Sequence, residues 1–118
     1  MGLTNLVVRV SNPTDLKRSV ELEMLVDSGA VFAIVPAPVL RRIGIRPQRR
    51  ERFRLADGTA IVRRTAVAAF EYEDHVGGAT VIFGEPGDAC LLGAFALESM
   101  GFMLDPVRRA LRPLPMVI

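Results

Sequence analysis

The stretch "MLVDSGAVFAIVP", residues 24–36, decides the fold. An apolar run climbs to one acid, Asp27, breaks at Ser28, Gly29 and Ala30, then resumes as "VFAIV" before Pro36. Upstream, Val20, Leu22, Met24 and Val26 alternate with Glu21, Glu23 and Leu25, the pattern of a half-buried strand. The β-branched run at 31–35 predicts a second, fully buried strand. Alone, Asp-Ser-Gly is an ordinary turn. Between two strands of core character, the turn is expected inside the protein, where an ionised carboxylate must be paired or hydrogen-bonded.

Outward from this stretch, residues 3–10 read as a strand and "SNPTD" (11–15) as a turn. Pro36 and Pro38 open a short helix, "APVLRRIG", stopped by Gly44. "RRERFRLADGTAIVRR" reads as a hairpin with Asp57-Gly58 in a two-residue type I′ turn. That register sets Leu55 opposite Ala60, Phe53 opposite Val62, and Arg52 opposite Arg63. Facing arginines are unfavourable, so either an acid approaches from elsewhere or the loop is longer. The second arm runs on through "AVAAFEYE", and "ATVIFGE" is a further strand ended by "PGD". "CLLG" is a short buried strand, "AFALESM" a two-turn helix capped by Gly101, and "FMLD" a strand ending at Asp105-Pro106. The last strand falls within residues 110–118.

A chain of 118 residues, half apolar and 24% charged, is expected to form one soluble domain, residues 1–118. No apolar stretch reaches the roughly 18 residues of a membrane span, and "MGLTNLVVRV" has none of the parts of a signal peptide, so a cytoplasmic location is expected. Cys90 is the single cysteine, which excludes an internal disulfide and a cysteine-based zinc site; beside two leucines it reads as a small core residue. His75, alone in "EYEDHVGG", reads as a solvated loop position. Phosphate-loop, dinucleotide and HExxH motifs are missing, and no metal or other cofactor is expected. Seven arginines lie between Arg41 and Arg54, yet no aromatics interleave with them to stack on bases. They read as a solvated surface, and nucleic acid is not an expected partner.

Four elements in order resemble the retropepsin-like aspartic proteases, the single-lobed relatives of pepsin. They are Asp27-Ser28-Gly29-Ala30 after an apolar strand, the apolar "VFAIVP", the "LADGT" hairpin some thirty residues on, and "LLGAFALESMGFMLD". The order holds from about residue 3 to residue 113, and it is closer to the small bacterial members than to the viral ones. The resemblance implies a mainly β fold: a closed single-lobe barrel with two short helices and a flap hairpin. It implies an aspartic endopeptidase that activates water by general acid–base chemistry between two carboxylates sharing one proton. One Asp-Ser-Gly per chain then calls for a homodimer, with Asp27 meeting its own copy across a two-fold axis.

The resemblance also assigns roles. Asp27 is catalytic; Ser28, Gly29 and Ala30 shape and brace its loop; Asp57, Gly58 and Thr59 form the flap tip over a peptide or protein substrate. Leu92 and Gly93 support the Asp27 loop from behind, although core packing explains them equally well. Ser28 stands where many members have Thr, keeping the hydroxyl and losing a methyl. The C-terminal "RPLPMVI" carries two prolines, which suit sheet edges, so the dimer contact is expected to differ from the interleaved termini of viral members. The rival reading is a catalytically silent dimerisation or peptide-binding module on the same fold.

Overall fold

A computed structural model describes residues 4–105 and 107–115. It is mainly β, with strands β1 (Thr4–Asn12), β2 (Asp15–Val26), β3 (Ala33–Pro36), β4 (Arg49–Arg54) and β5 (Ala60–Tyr72). β6 (His75–Gly84), β7 (Leu91–Leu92), β8 (Phe102–Asp105) and β9 (Ala110–Pro113) complete the set, with two short helices, α1 (Ala37–Arg42) and α2 (Ala94–Ser99). Of the sequence expectations, Leu3, Pro106 and the end of the last strand at 116–118 lie outside the described residues.

The strand order is β1-β2-β7-β3-β6-β5-β4, and β1 also pairs with β5. The sheet therefore closes on itself through Arg9↔Glu71, Val10↔Phe70 and Ser11↔Ala69, with β4 as an extension off β5. The ring has one topological insertion. β7, from late in the chain, lies between β2 and β3, parallel to the first and antiparallel to the second. Leu91 thus faces both Leu25 and Ile34, and Leu92 faces Val26. Alternation explains the interior: Val8 and Val10 of β1, Met24 and Val26 of β2, Val35, Phe70, Val81 and Leu92 are all fully buried. Leu40 of α1 and Leu97 of α2 close the core from outside the ring.

α1 ends in a Schellman motif: Ile45 N–H donates to the Leu40 carbonyl and Gly44 N–H to that of Arg41, with Gly44 at φ +83°. Sequence therefore placed the stop correctly. α2 packs on β6 and β8. It approaches so closely that a Cβ at Gly77 would collide with the Ser99 carbonyl.

Three local expectations are corrected. β2 begins at Asp15 rather than Val20, because Leu16, Lys17 and Arg18 are exposed and carry no alternation to read. The turn is correspondingly tighter, with Asn12 Oδ1 accepting from both the N–H and the hydroxyl of Thr14. The β4–β5 hairpin is shifted by one residue: Arg54 faces Ala60, Phe53 faces Ile61 and Arg52 faces Val62. Its loop is longer than two residues. Gly58 N–H bonds the Leu55 carbonyl, Leu55 N–H bonds the Thr59 carbonyl, and Gly58 alone is left-handed at φ +88°. The two-residue turn with both φ positive occurs instead at Glu73 (49°) and Asp74 (66°), joining Tyr72 to His75. His75 consequently opens β6 rather than lying in a loop, with Nδ1 3.1 Å from the Met100 carbonyl oxygen and its ring 4.5 Å from that of Phe102.

Candidate active site

Asp27 follows directly on β2, and its backbone is fixed by β7. Its N–H donates to the Leu92 carbonyl (3.1 Å), and its own carbonyl accepts from Ala30 N–H (3.1 Å). Its carboxylate turns back on the loop, where Oδ1 accepts Gly29 N–H at 2.9 Å. A Cβ at Gly29 would stand 3.2 Å from that oxygen, so glycine leaves the carboxylate room. Beyond the turn, Ala94 N–H bonds the Ala30 carbonyl (2.8 Å) and Phe95 N–H bonds that of Val31 (3.1 Å). These bonds occupy the carbonyls that a longer β3 would use, which is why the strand begins at Ala33 and not at Val31. The Asp27 loop is stitched to the β7–α2 junction along its length.

Gly93 makes that stitching possible. A Cβ there would fall 2.5 Å from the Phe32 carbonyl oxygen and 2.9 Å from the Val31 carbonyl carbon, both backbone atoms. Leu92, fully buried, supports Val26 from inside the core. The structure thus brings Asp27, Ser28, Gly29, Ala30, Leu92 and Gly93 together. It corrects the expected burial of the turn: within one chain Asp27 is half-buried and Ser28 and Gly29 are exposed. Val31 (47% exposed) and Phe95 (48%) flank the loop as uncovered apolar side chains.

The expected hairpin tip, Asp57, Gly58 and Thr59, is exposed. Thr59, through its hydroxyl and then its N–H, holds the Asp57 carboxyl below the usual carboxylate range. Between the hairpin and the Asp27 loop runs a cleft of about 450 Å³. Its walls are Ala30 to Phe32 and Ile34 on one side, Phe53 to Leu55, Ile61 and Arg63 on another, and the 87–89 turn with Ile82 and Leu91. Phe32 anchors one wall by edge contacts to Phe53 (5.4 Å between centroids) and Phe95 (5.5 Å).

One feature of the cleft was not legible as such in the sequence. Arg63 forks onto Asp88, Nε to Oδ2 at 2.8 Å and Nη2 to Oδ1 at 3.0 Å, with Glu85 3.6 Å from Nη1. This ties the outgoing hairpin strand to the 85–88 turn, whose Glu85 N–H also bonds Asp88 Oδ2. Arg63 holds the Asp88 carboxyl below the usual range. Of the two alternatives raised by the expected Arg52–Arg63 pairing, the longer loop holds: in the observed register Glu51, not Arg52, stands opposite Arg63, and Asp88 pairs with its guanidinium as well. Arg63 is thereby neutralised, whereas Arg54, the other arginine of the cleft wall, has no carboxylate within ion-pair distance among the described residues.

Cys90 is half-buried against the core, its carbonyl accepts Leu25 N–H, and burial pushes its thiol pKa up. Among the described residues no three His, Cys, Asp or Glu side chains group as a metal site, and no helix is long and apolar enough to cross a membrane.

No curated protein matches the sequence. A family model described as "gag-polyprotein putative aspartyl protease" matches residues 17–99, from the middle of the first hairpin to the end of α2. That span contains the Asp27 loop, the hairpin and the β7 insertion, and it covers most of the chain. The chain belongs to the retropepsin-like aspartyl protease family.

Proposed function

We propose that the protein is an aspartic endopeptidase that works as a homodimer, the whole chain forming one lobe of the enzyme. One observation carries the reading: a half-buried Asp27 held by backbone bonds on a loop whose Ala30 lines an apolar cleft and whose outer side is uncovered. A single carboxylate cannot both take a proton from water and give one to a carbonyl. Two Asp27 carboxylates brought together across a two-fold axis can, because like charges at that distance share a proton, as in aspartic proteases generally. The ionised Asp27 accepts a proton from water as the water oxygen bonds to the scissile carbonyl carbon. The protonated one delivers its proton to the carbonyl oxygen. Collapse of the resulting diol expels the amine, which takes up a proton, and no covalent enzyme intermediate forms.

In this arrangement Gly29 N–H orients each carboxylate, and Ser28, exposed in one chain, braces the loop across the axis. Ala30 keeps the passage for substrate backbone narrow but open. The Asp57-Gly58-Thr59 tip closes as a flap and excludes water. Leu92 and Gly93 hold the loop's height relative to the cleft. Cleft walls built from Phe32, Ile34, Phe53, Ile61, Ile82 and Leu91 favour apolar substrate side chains. The Arg63–Asp88 pairing removes one of the cations that would otherwise draw acidic peptides.

The test is a mixed peptide library incubated with wild type and Asp27→Asn over about pH 4–7, the range in which a shared-proton dyad works, with products read by mass spectrometry. Cleavage by wild type alone supports the reading. Equal cleavage by both, or none by a wild type shown to be dimeric by sedimentation, refutes it in favour of a silent peptide-binding module on the same fold.

A further inference from the structure

Three arginines from separate segments line one concavity distinct from the cleft. Arg18 of β2, Arg41 of α1 and Arg46 of the following loop line a hollow of about 390 Å³ with Gly44, Ile45 and Pro47. It shares no lining residue with the apolar cleft. Three arginines elsewhere meet carboxylates, Arg9 with Glu21, Arg49 with Glu51, and Arg63 with Asp88 and Glu85. Among the described residues, none of the three around Gly44 has a carboxylate within ion-pair distance.

Two of the three are nevertheless held in place. Arg41 lies over the Phe83 ring, its guanidinium carbon 6.0 Å from the centroid. Arg18 packs its guanidinium directly on the backbone of Gly44, where a Cβ would collide with it. The left-handed Gly44 of the Schellman motif therefore does two things: it ends α1 and clears the floor on which Arg18 rests. Convergent cations with no acid between them repel one another, and an anion with several oxygens relieves that repulsion while using their donors in pairs. A positively lined hollow also concentrates anions from solution.

We infer that Arg18, Arg41 and Arg46 form a binding site for a small phosphate-bearing anion of about pyrophosphate size. The volume falls in the range of small-ligand sites, roughly 300–1,000 Å³, and guanidinium forks match the paired oxygens of a phosphate, which offers more acceptors and more charge than a single carboxylate. A single-stranded polynucleotide is a poorer occupant, because Arg18, Arg41 and Arg46 have no aromatic ring among their fellow lining residues on which bases would stack. The inference is independent of peptidase activity.

Isothermal calorimetry of the full chain tests it, titrating inorganic pyrophosphate at fixed ionic strength, with inorganic phosphate and a single-stranded oligonucleotide as parallel arms. Pyrophosphate is expected to bind one per chain and more tightly than phosphate. Arg18→Gln, Arg41→Gln and Arg46→Gln should each weaken it about tenfold, the loss typical of one charge-assisted bond. Arg50→Gln and Arg64→Gln, on the exposed hairpin, should leave it unchanged. All five positions are exposed, and circular dichroism confirms that each variant is folded. Saturable heat lost only at the three site arginines supports the site. No binding of pyrophosphate, equal losses at the hairpin arginines, or binding of the oligonucleotide alone overturns it.

Discussion

Replacing Gly93 with alanine adds one methyl group, and the structure says where it lands. The new Cβ would lie 2.5 Å from the Phe32 carbonyl oxygen, 2.8 Å from the Phe32 carbonyl carbon and 2.9 Å from the Val31 carbonyl carbon. All three are backbone atoms, so no rotamer change relieves the overlap. The Asp27 loop and the β7–α2 junction must separate, and overpacking of this kind costs about 1–3 kcal/mol. Separation also strains the Ala94→Ala30 and Phe95→Val31 bonds, at about 0.5–1.5 kcal/mol each. The expected total is about 2–6 kcal/mol, a large part of the roughly 5–15 kcal/mol that holds a domain folded. Gly78→Ala is the matched control, since its Cβ would meet nothing closer than 3.9 Å and its φ is not left-handed. Urea unfolding at one fixed protein concentration reads both variants. A Gly93→Ala midpoint within about 1 kcal/mol of wild type, with unchanged m-value, would refute the packing argument.

The Arg63–Asp88 fork predicts a pH dependence. Asp88's carboxyl is depressed in the folded chain, so its contribution is present above the ordinary carboxylate pKa and is lost as pH falls through the folded value. Arg63→Met should therefore cost about 1–2 kcal/mol at neutral pH, with the gap to wild type closing toward acid in parallel urea titrations; a gap independent of pH contradicts the pairing. At the β5–β6 turn, Glu73→Asn with Asp74→Gly fits both left-handed positions and should stabilise by about 0.5–1 kcal/mol, read as a raised melting temperature. A loss of stability there would show that Glu73 or Asp74 has a role the backbone does not reveal.

Much of this was written in the sequence, because periodicity reports burial. The alternation of 20–26 and the apolar run after Ala30 gave β2 and β3, and Asp27 between them stood out as an acid in a costly place. Gly44 and Gly101 marked the helix ends for the reason that glycine favours a left-handed residue there. Turn chemistry misled where it conflicted with pairing. Asp57-Gly58 matches the two-residue signature, yet apolar Phe53 and Ile61 pair across the strands and leave a longer loop. Glu73-Asp74 lacks that signature, yet pairing of Tyr72 with His75 forces both residues to positive φ. Contacts set by the ring closure were invisible in one dimension. Arg63 meets Asp88 across 25 residues, and Arg18 meets Gly44 only because β2 passes the end of α1. Exposure of the Asp27 turn was misjudged for a related reason: flanking strands report the burial of their own side chains, not of the loop between them.

The central claim is that two Asp27 carboxylates, one per subunit, make one site, and mixing tests it most directly. Wild type is held at constant amount and unfolded Asp27→Asn is added before joint refolding, so that subunits pair at random. Heterodimers then carry one carboxylate and one amide, and cannot hold the shared proton. An equimolar mixture should keep about half of the peptidase activity, and excess variant should suppress it further toward zero. Activity that stays constant at every ratio would mean that each chain works alone, and would contradict the account.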